Sequence, residues 1–181
     1  VDPLYFRLSD ARKLFEYIRE KRFVKVAERI TNRQGLSIPQ KKSIAKSGSQ
    51  KKRIIYNLPE EEATTLKLLT WLMIRKYDGF FSDNLYSFRP SYSAKDALKR
   101  VMTNRDLRNC YSYKLDISNY FNSIDCDLLR PILKQLLSDD EPLFEFIDSQ
   151  LSDSRALVDG KIVTEPKGIM AGMPYAGFLA N

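Results

Sequence analysis

Hydrophobic residues recur at three- and four-residue intervals over much of this chain, and short alternating runs interrupt them. Ser9-Asp-Ala-Arg-Lys-Leu14-Phe15-Glu-Tyr-Ile18 opens with capping residue types and keeps helical spacing, as does the stretch that follows to Ile30. Residues 31–53 are polar, basic and punctuated by Gly and Ser, and Ile54-Ile55-Tyr56 then reads as a short strand. The two halves predict a β-hairpin whose tip is the Ser47–Gln50 turn. A long helix is expected from Pro59. Glu60, Glu61 and Glu62 fall in its first turn and Arg75 and Lys76 in its last, matching the macrodipole, and Gly79 follows as a stop. Its Leu66, Leu69, Trp71, Leu72 and Met73 are expected in the core. Ser93-Ala-Lys-Asp96 has capping-box spacing and starts a helix with Ala94, Ala97, Leu98 and Val101 on one side.

The strictest alternation lies at residues 111–117. Tyr111, Tyr113, Leu115 and Ile117 fall on one face, and Ser112, Lys114 and Asp116 on the other. This pattern predicts a packed strand presenting Asp116 at its working end. Beyond it, Asp125 is placed as an N-cap with Ile124 and Leu129 as a hydrophobic staple. That helix runs toward Leu137, with Pro131 expected to bend or restart it, and another spans Glu141 to Leu151. Asp159-Gly160 between Leu157-Val and Lys-Ile162-Val163 is a two-residue hairpin signature. Gly168 to Pro174 is a glycine-bounded loop, and Pro174 can start a last helix. Helices alternating with short strands, without a regular βαβ series or internal repeat, predict an α+β fold.

Composition narrows the chemistry. The chain has 181 residues and no histidine, which excludes Ser-His-Asp and Cys-His catalysis, His-ligated zinc and a His general base. No apolar run approaches the roughly 18 residues needed to span a bilayer, and no secretory signal pattern is present. No membrane association is therefore expected. Cys110 and Cys126 are isolated thiols, which points to a reducing compartment and a cytoplasmic location. The first residues, Val-Asp-Pro, predict an excised piece of a longer protein. Charge is uneven. Residues 1–56 carry 15 Lys and Arg against 5 Asp and Glu, whereas residues 57–181 carry 15 against 18. So basic a first third suggests a polyanionic partner, most simply nucleic acid; a solvated basic face is the plainer alternative.

Four segments carry candidate chemistry: the basic hairpin with Lys46 and Arg53, the Phe88-Arg89-Pro90 turn, Asp116 with Phe121 five residues on, and the 168–174 loop. Lys and Arg can neutralise transferring phosphates, and glycines let a backbone approach a base pair closely. A carboxylate on a rigid strand suits metals that must stay about 3.5–4 Å apart through an in-line displacement. A strand-terminal Asp serves equally as a turn residue or helix cap. In their order, these segments resemble the polymerase domain of reverse transcriptases, particularly the bacterial type encoded by group II introns, over roughly residues 44–181. Lys46-Ser-Gly48 through Arg53-Ile-Ile-Tyr56 is similar to the fingers hairpin. Ser82 to Leu98, around Phe88-Arg89-Pro90, is similar to a family segment that usually has Gly where Ser87 stands. Leu115-Asp116-Ile-Ser-Asn-Tyr120-Phe121-Asn-Ser-Ile124-Asp125 resembles the family's first palm motif, with Tyr120 in place of a Phe. Gly168 to Asn181 is similar to the motif that normally contains Pro-Gln-Gly, here Met170-Ala171-Gly172.

The resemblance implies right-hand polymerase fingers plus a partial palm: a basic helical segment over 1–43, fingers over 44–110 and partial palm over 111–181. The partners it implies are an RNA template or intron RNA, a DNA primer and dNTP, with Mg²⁺ as cofactor of the full-length enzyme. In the implied reaction the primer 3′-oxygen attacks the α-phosphorus and pyrophosphate leaves. Asp116 would be a metal-binding carboxylate, with the Ile117 backbone facing the same metal. Asn119 and Tyr120 would offer N–H groups to the triphosphate, and Phe121 would exclude a 2′-OH. Lys46 and Arg53 would contact the triphosphate, Gly172 would line the templating pair, and Lys51, Lys52 and Arg89 would contact nucleic acid. Ala171 removes the amide that usually holds nucleotide or template. The family's Tyr/Phe-x-Asp-Asp motif would fall some tens of residues past Asn181. One carboxylate cannot hold two Mg²⁺ ions, so this chain alone is expected to be inactive. Two alternatives stand beside the polymerase: a non-catalytic RNA-binding maturase-like or defence-associated domain, and an RNA-dependent RNA polymerase palm.

Overall fold

The helix expected after Pro59 is the element against which the rest is assembled. In the computed structural model, which describes residues 8–45, 52–90, 92–165 and 168–181, it is α3, Glu60–Tyr77. Before it come α1 (Leu8–Arg19), α2 (Val24–Thr31) and the strands β1 (Gln40–Ala45) and β2 (Lys52–Asn57). After it come α4 (Ala94–Thr103), α5 (Cys126–Leu136), α6 (Glu141–Ser152), β3 (Arg155–Val158), β4 (Lys161–Thr164) and the short α7 (Ala176–Leu179). The fold mixes helices with one small four-stranded sheet, compatible with the α+β class that the alternation of patterns predicts.

The buried face of α3 is Glu62, Thr65, Leu66, Thr70, Met73, Ile74 and Tyr77, an i, i+3, i+4 stripe. Leu72, expected in the core, lies off that stripe and is 55% exposed. Leu66, Met73, Ile74 and Tyr77 join Leu133, Leu137, Phe146, Ile147, Ile169, Met173 and Phe178 in one core. That core and the sheet both run across the expected fingers–palm boundary at residue 110. Polar groups on the stripe are satisfied locally. Glu62 accepts from Arg29 Nη1 (2.6 Å), Ser37 N (2.9 Å) and Ser37 Oγ (2.8 Å), which fastens α2 and the following loop to α3.

Local signals fold as read. Ser93 and Asp96 form a reciprocal capping box at α4, and Asp125 caps α5 by accepting from Asp127 N. Helix α5 runs through Pro131 without interruption. Asp159 (φ 49°) and Gly160 (φ 78°) make the turn between β3 and β4, both in the left-handed region that a two-residue hairpin of this kind demands. The sheet order is β2-β1-β3-β4. Its two hairpins are antiparallel and meet through a parallel β1–β3 contact at Gln40 and Leu157. The hairpin tip at Ser47–Gln50, with Lys46 and Lys51, lies outside the described residues.

Residues 111–117 do not form the packed strand that their alternation predicts. A strand persists through its ladder partners, and none of the four strands pairs with this segment. Its apolar face is therefore open: Tyr111, Tyr113 and Leu115 are 93%, 87% and 91% exposed. Leu98 and Val101, the expected inner side of α4, are also exposed.

One half-buried network braces the sheet. Glu165 accepts from Lys41 Nζ (2.7 and 2.9 Å) and from Tyr56 Oη (2.7 Å). Burial alone would raise the Glu165 pKa, but the hydrogen bonds from Lys41 and Tyr56 outweigh it and hold the carboxyl below its ordinary value. A depressed folded pKa adds stability above the unfolded value, about 4.3, that is lost as pH falls through the folded one. Thermal melts are therefore expected to show a decline below about pH 4.3, and Glu165→Gln should make that acid limb shallower.

Candidate nucleotide and nucleic-acid site

Phe121 is where the separated motifs meet. Tyr120–Ser123 is a single 3-10 turn entered through Asn119, which adopts left-handed backbone (φ 55°, ψ 44°). Asn tolerates that region because its short polar side chain bonds locally, and here Asn119 Oδ1 accepts from Asn122 Nδ2 at 2.9 Å. The turn places the Phe121 ring 6.3 Å from Phe88 and 5.4 Å from Tyr120. Phe121 O accepts from Ile169 N at 2.9 Å, which brings the glycine loop alongside. Gly168 (φ 116°) makes this approach possible, because a Cβ there would stand 2.5 Å from Asn122 Cα and 2.7 Å from Phe121 O. Tyr120 Oη donates to Ala180 O, tying the turn to the end of α7. The N–H groups of Asn119 and Tyr120 donate to no backbone acceptor among the described residues.

The other end of the glycine loop meets the basic hairpin. Tyr56 N donates to Ala171 O at 2.8 Å, so the loop covers part of the outer edge of β2. A Cβ on Gly172 (φ 98°) would lie 3.0 Å from Tyr56 O and 3.3 Å from Ile55 Cβ. The absent side chain of Gly172 thus admits a protein strand. The register puts Lys42, Ile44, Arg53 and Ile55 on one face of the hairpin. Lys42, Lys52 and Arg53 are exposed and unpaired among the described residues.

Arg89 has a different job from the expected nucleic-acid contact. Its side chain is 2% exposed. Nε and Nη2 bond Asp78 Oδ1 and Oδ2 at 2.8 and 2.9 Å, and Nη2 also reaches Asp78 O at 3.4 Å. Nη1 donates to Ser82 O at 2.9 Å and Leu85 O at 3.2 Å. All five guanidinium N–H groups are used, and the plane stacks 3.8 Å from the Tyr92 ring centre. No donor remains for a phosphate. Hydrogen bonding to Asp78 raises the Arg89 pKa despite burial, so the guanidinium stays charged.

Phe88, expected only as part of the Phe88-Arg89-Pro90 turn, packs directly against Phe121. It takes φ 54°, an uncommon conformation for a bulky residue, between exposed Ser87 and the anchored Arg89. Its ring lies where a Cβ of Gly177 would be, 2.5 Å from the nearest ring atom. A glycine inside α7 was the available signal.

Asp116 is exposed, with no hydrogen bond or ion pair among the described residues. Ile117 beside it is 63% exposed. No group of three or more His, Cys, Asp or Glu residues able to hold a metal occurs among the described residues. A two-Mg²⁺ centre does not fit the carboxylates found among the described residues. A cavity of about 440 Å³, bounded in part by Cys126, Arg130, Asp153, Glu165 and Tyr175, includes neither Asp116 nor Phe121. Among the described residues no helix is long and apolar enough to cross a membrane.

No family model matches the chain, and no curated protein matches it.

Proposed function

We propose that the chain is the fingers and partial palm of an RNA-directed DNA polymerase, binding RNA template and dNTP within a longer polypeptide. The observation that carries this reading is the convergence on Phe121 of segments far apart in sequence: the Phe88 turn, the motif around Asp116 and the glycine loop, which also docks on β2 of the basic hairpin. Unpaired N–H groups at Asn119 and Tyr120, next to an aromatic ring, suit a triphosphate and its sugar. Arg53, on the face of the hairpin next to the glycine loop, adds positive charge to the same neighbourhood. Lys46 is proposed to act with Arg53, and Lys51 and Lys52 to contact template. Mg²⁺ belongs to the full-length parent, with Asp116 contributing one carboxylate.

The test is primer extension on an RNA template by the full-length parent with Mg²⁺ and dNTPs. Extension that Asp116→Ala abolishes is expected. Preference for NTPs over dNTPs would move the assignment to an RNA polymerase. The absence of a Tyr/Phe-x-Asp-Asp segment beyond Asn181, together with no extension, would leave a binding domain.

A non-catalytic RNA-binding domain is the second reading, favoured by the solitary, exposed Asp116 and by Ala171. Both readings expect RNA binding that weakens steeply with salt. For single strands, each phosphate contact contributes about −0.7 to the slope of log K against log salt. Arg53→Glu and Lys52→Glu are each expected to flatten that slope by roughly one such increment in fluorescence-anisotropy titrations of the 181-residue chain. An unchanged slope would remove the hairpin from the interface.

A further inference from the structure

Phe88 holds a backbone conformation that its residue type does not favour. At φ 54° a β-carbon crowds the neighbouring carbonyl, whereas glycine would sit there unstrained. Both flanks pin the turn. Ser87 O accepts from Asn181 Nδ2 at 3.0 Å, and the Arg89 guanidinium is spent on Asp78, Ser82 and Leu85. These hydrogen bonds fix the backbone on either side of Phe88 and outweigh the strain between them. What phenylalanine adds to such a position is its ring. Gly177 leaves room for that ring, whose nearest atoms lie 2.5 and 2.7 Å from where a Cβ would stand. The same ring meets Phe121 at 6.3 Å between centroids and 63° between planes, an edge-to-face pair.

We propose that Phe88 is a positioning residue for sugar selection: seated against Gly177, it fixes the Phe121 ring where that ring excludes a 2′-OH. This rests on the polymerase reading, in which Phe121 stacks under the sugar of the incoming nucleotide. The two kinds of nucleotide differ there by one hydroxyl, so a ring free to tilt would yield to it. Phe121 lies on a single 3-10 turn entered through left-handed Asn119, a short support for a gate. Phe88 lends it a longer one. Through Arg89 it is tied to Asp78 at the end of α3, and through Ser87 to Asn181 just after α7. In this role Phe88 acts on the nucleotide through Phe121 and needs no contact with the sugar itself.

The experiment measures kcat/KM for a dNTP and for the matching NTP in primer extension by the full-length parent. Phe88→Gly is the variant, because glycine takes φ 54° without strain and keeps the flanking hydrogen bonds while removing the ring. The wild-type protein is expected to favour dNTP. Phe88→Gly should lower that preference roughly two- to tenfold, the range one aromatic pair supports, through a lower KM for NTP. Phe88→Tyr keeps the ring and should retain the wild-type ratio, whereas Gly177→Ala displaces the ring and should lower it. Combined with Phe121→Ala, Phe88→Gly should cause no further loss of discrimination, because its effect passes through Phe121. A merely structural role would lower both kcat/KM values together. An unchanged ratio in Phe88→Gly, or losses that add in the double variant, would overturn the proposal in an enzyme that still extends with dNTP. A wild-type parent that does not extend, or that prefers NTP, overturns the polymerase reading and this proposal with it.

Discussion

Replacing Arg89 with methionine is expected to lower the stability of the chain by about 3 kcal/mol, with folding retained at low temperature. The arginine spends every donor inside the protein, on both oxygens of Asp78 and on the carbonyls of Asp78, Ser82 and Leu85. Methionine has similar reach and replaces the packing on Tyr92 and Phe81, so the loss isolates the polar term. Breaking a buried pair costs roughly 3–5 kcal/mol when the remaining charge is left without solvent. Asp78 is 40% exposed and can recover some water, which places the expectation at the lower end. Against a total stability of about 5–15 kcal/mol, this is a large fraction. In differential scanning calorimetry it corresponds to a fall in Tm of roughly 6–12 °C for a chain of this size. Asp78→Asn should cost less, since an amide can still accept from Arg89. Were Arg89 a nucleic-acid contact, Arg89→Met would leave Tm unchanged and weaken RNA binding; that outcome would reverse the role assigned to it.

The fate of Arg89 shows what kind of information the chain carries openly. A charge beside Phe and Pro in a turn can be read from residues 88–90, but the carboxylate that claims it lies eleven residues earlier, at the start of a 3-10 turn. Signals that act within a few residues were legible: the Ser93–Asp96 capping box, the Asp159-Gly160 turn, and the acidic and basic ends of α3. The first two are contacts between near neighbours and the third acts on the dipole of its own helix, so residue types alone specify them. Strand β1 was legible only as the first half of the basic hairpin, not from a pattern of its own. Gln40-Lys-Lys-Ser-Ile-Ala45 is mostly exposed and polar, and it is a strand because β2 and β3 flank it. Residues 111–117 had the pattern without the partner. Alternation reports that one face avoids water; it does not report what lies across from it. The candidate site was legible in the same uneven way. Phe121 and Gly172 stand out as residue types, whereas the left-handed turn at Phe88 and its contact with Gly177 exist only once α7 has docked.

Gly168→Ala carries the other large expected effect, because the glycine loop reaches Phe121 only through a position that has no room for a side chain. At φ 116° an L-residue is strained wherever it sits, and the added carbon would stand 2.5 Å from Asn122 Cα, 2.7 Å from Phe121 O and 2.8 Å from Asn122 C. All three atoms are backbone, so no rotamer change relieves the overlap. Either the 3-10 turn at Tyr120–Ser123 moves or the loop withdraws, and both break the Ile169 N to Phe121 O bond of 2.9 Å. Backbone strain of about 1–3 kcal/mol and overpacking of a similar size together predict a loss of roughly 3 kcal/mol or more in chemical denaturation. Two other glycines give the scale. Gly35→Ala meets no atom within 4 Å and should change stability by less than about 0.5 kcal/mol. Gly177→Ala meets the Phe88 ring, a side chain that can swing away, so it should fall between them while displacing Phe88 from Phe121. If Gly168→Ala behaved like Gly35→Ala, the loop would not be seated on the Phe121 turn. The convergence on which the polymerase reading rests would then be lost with it.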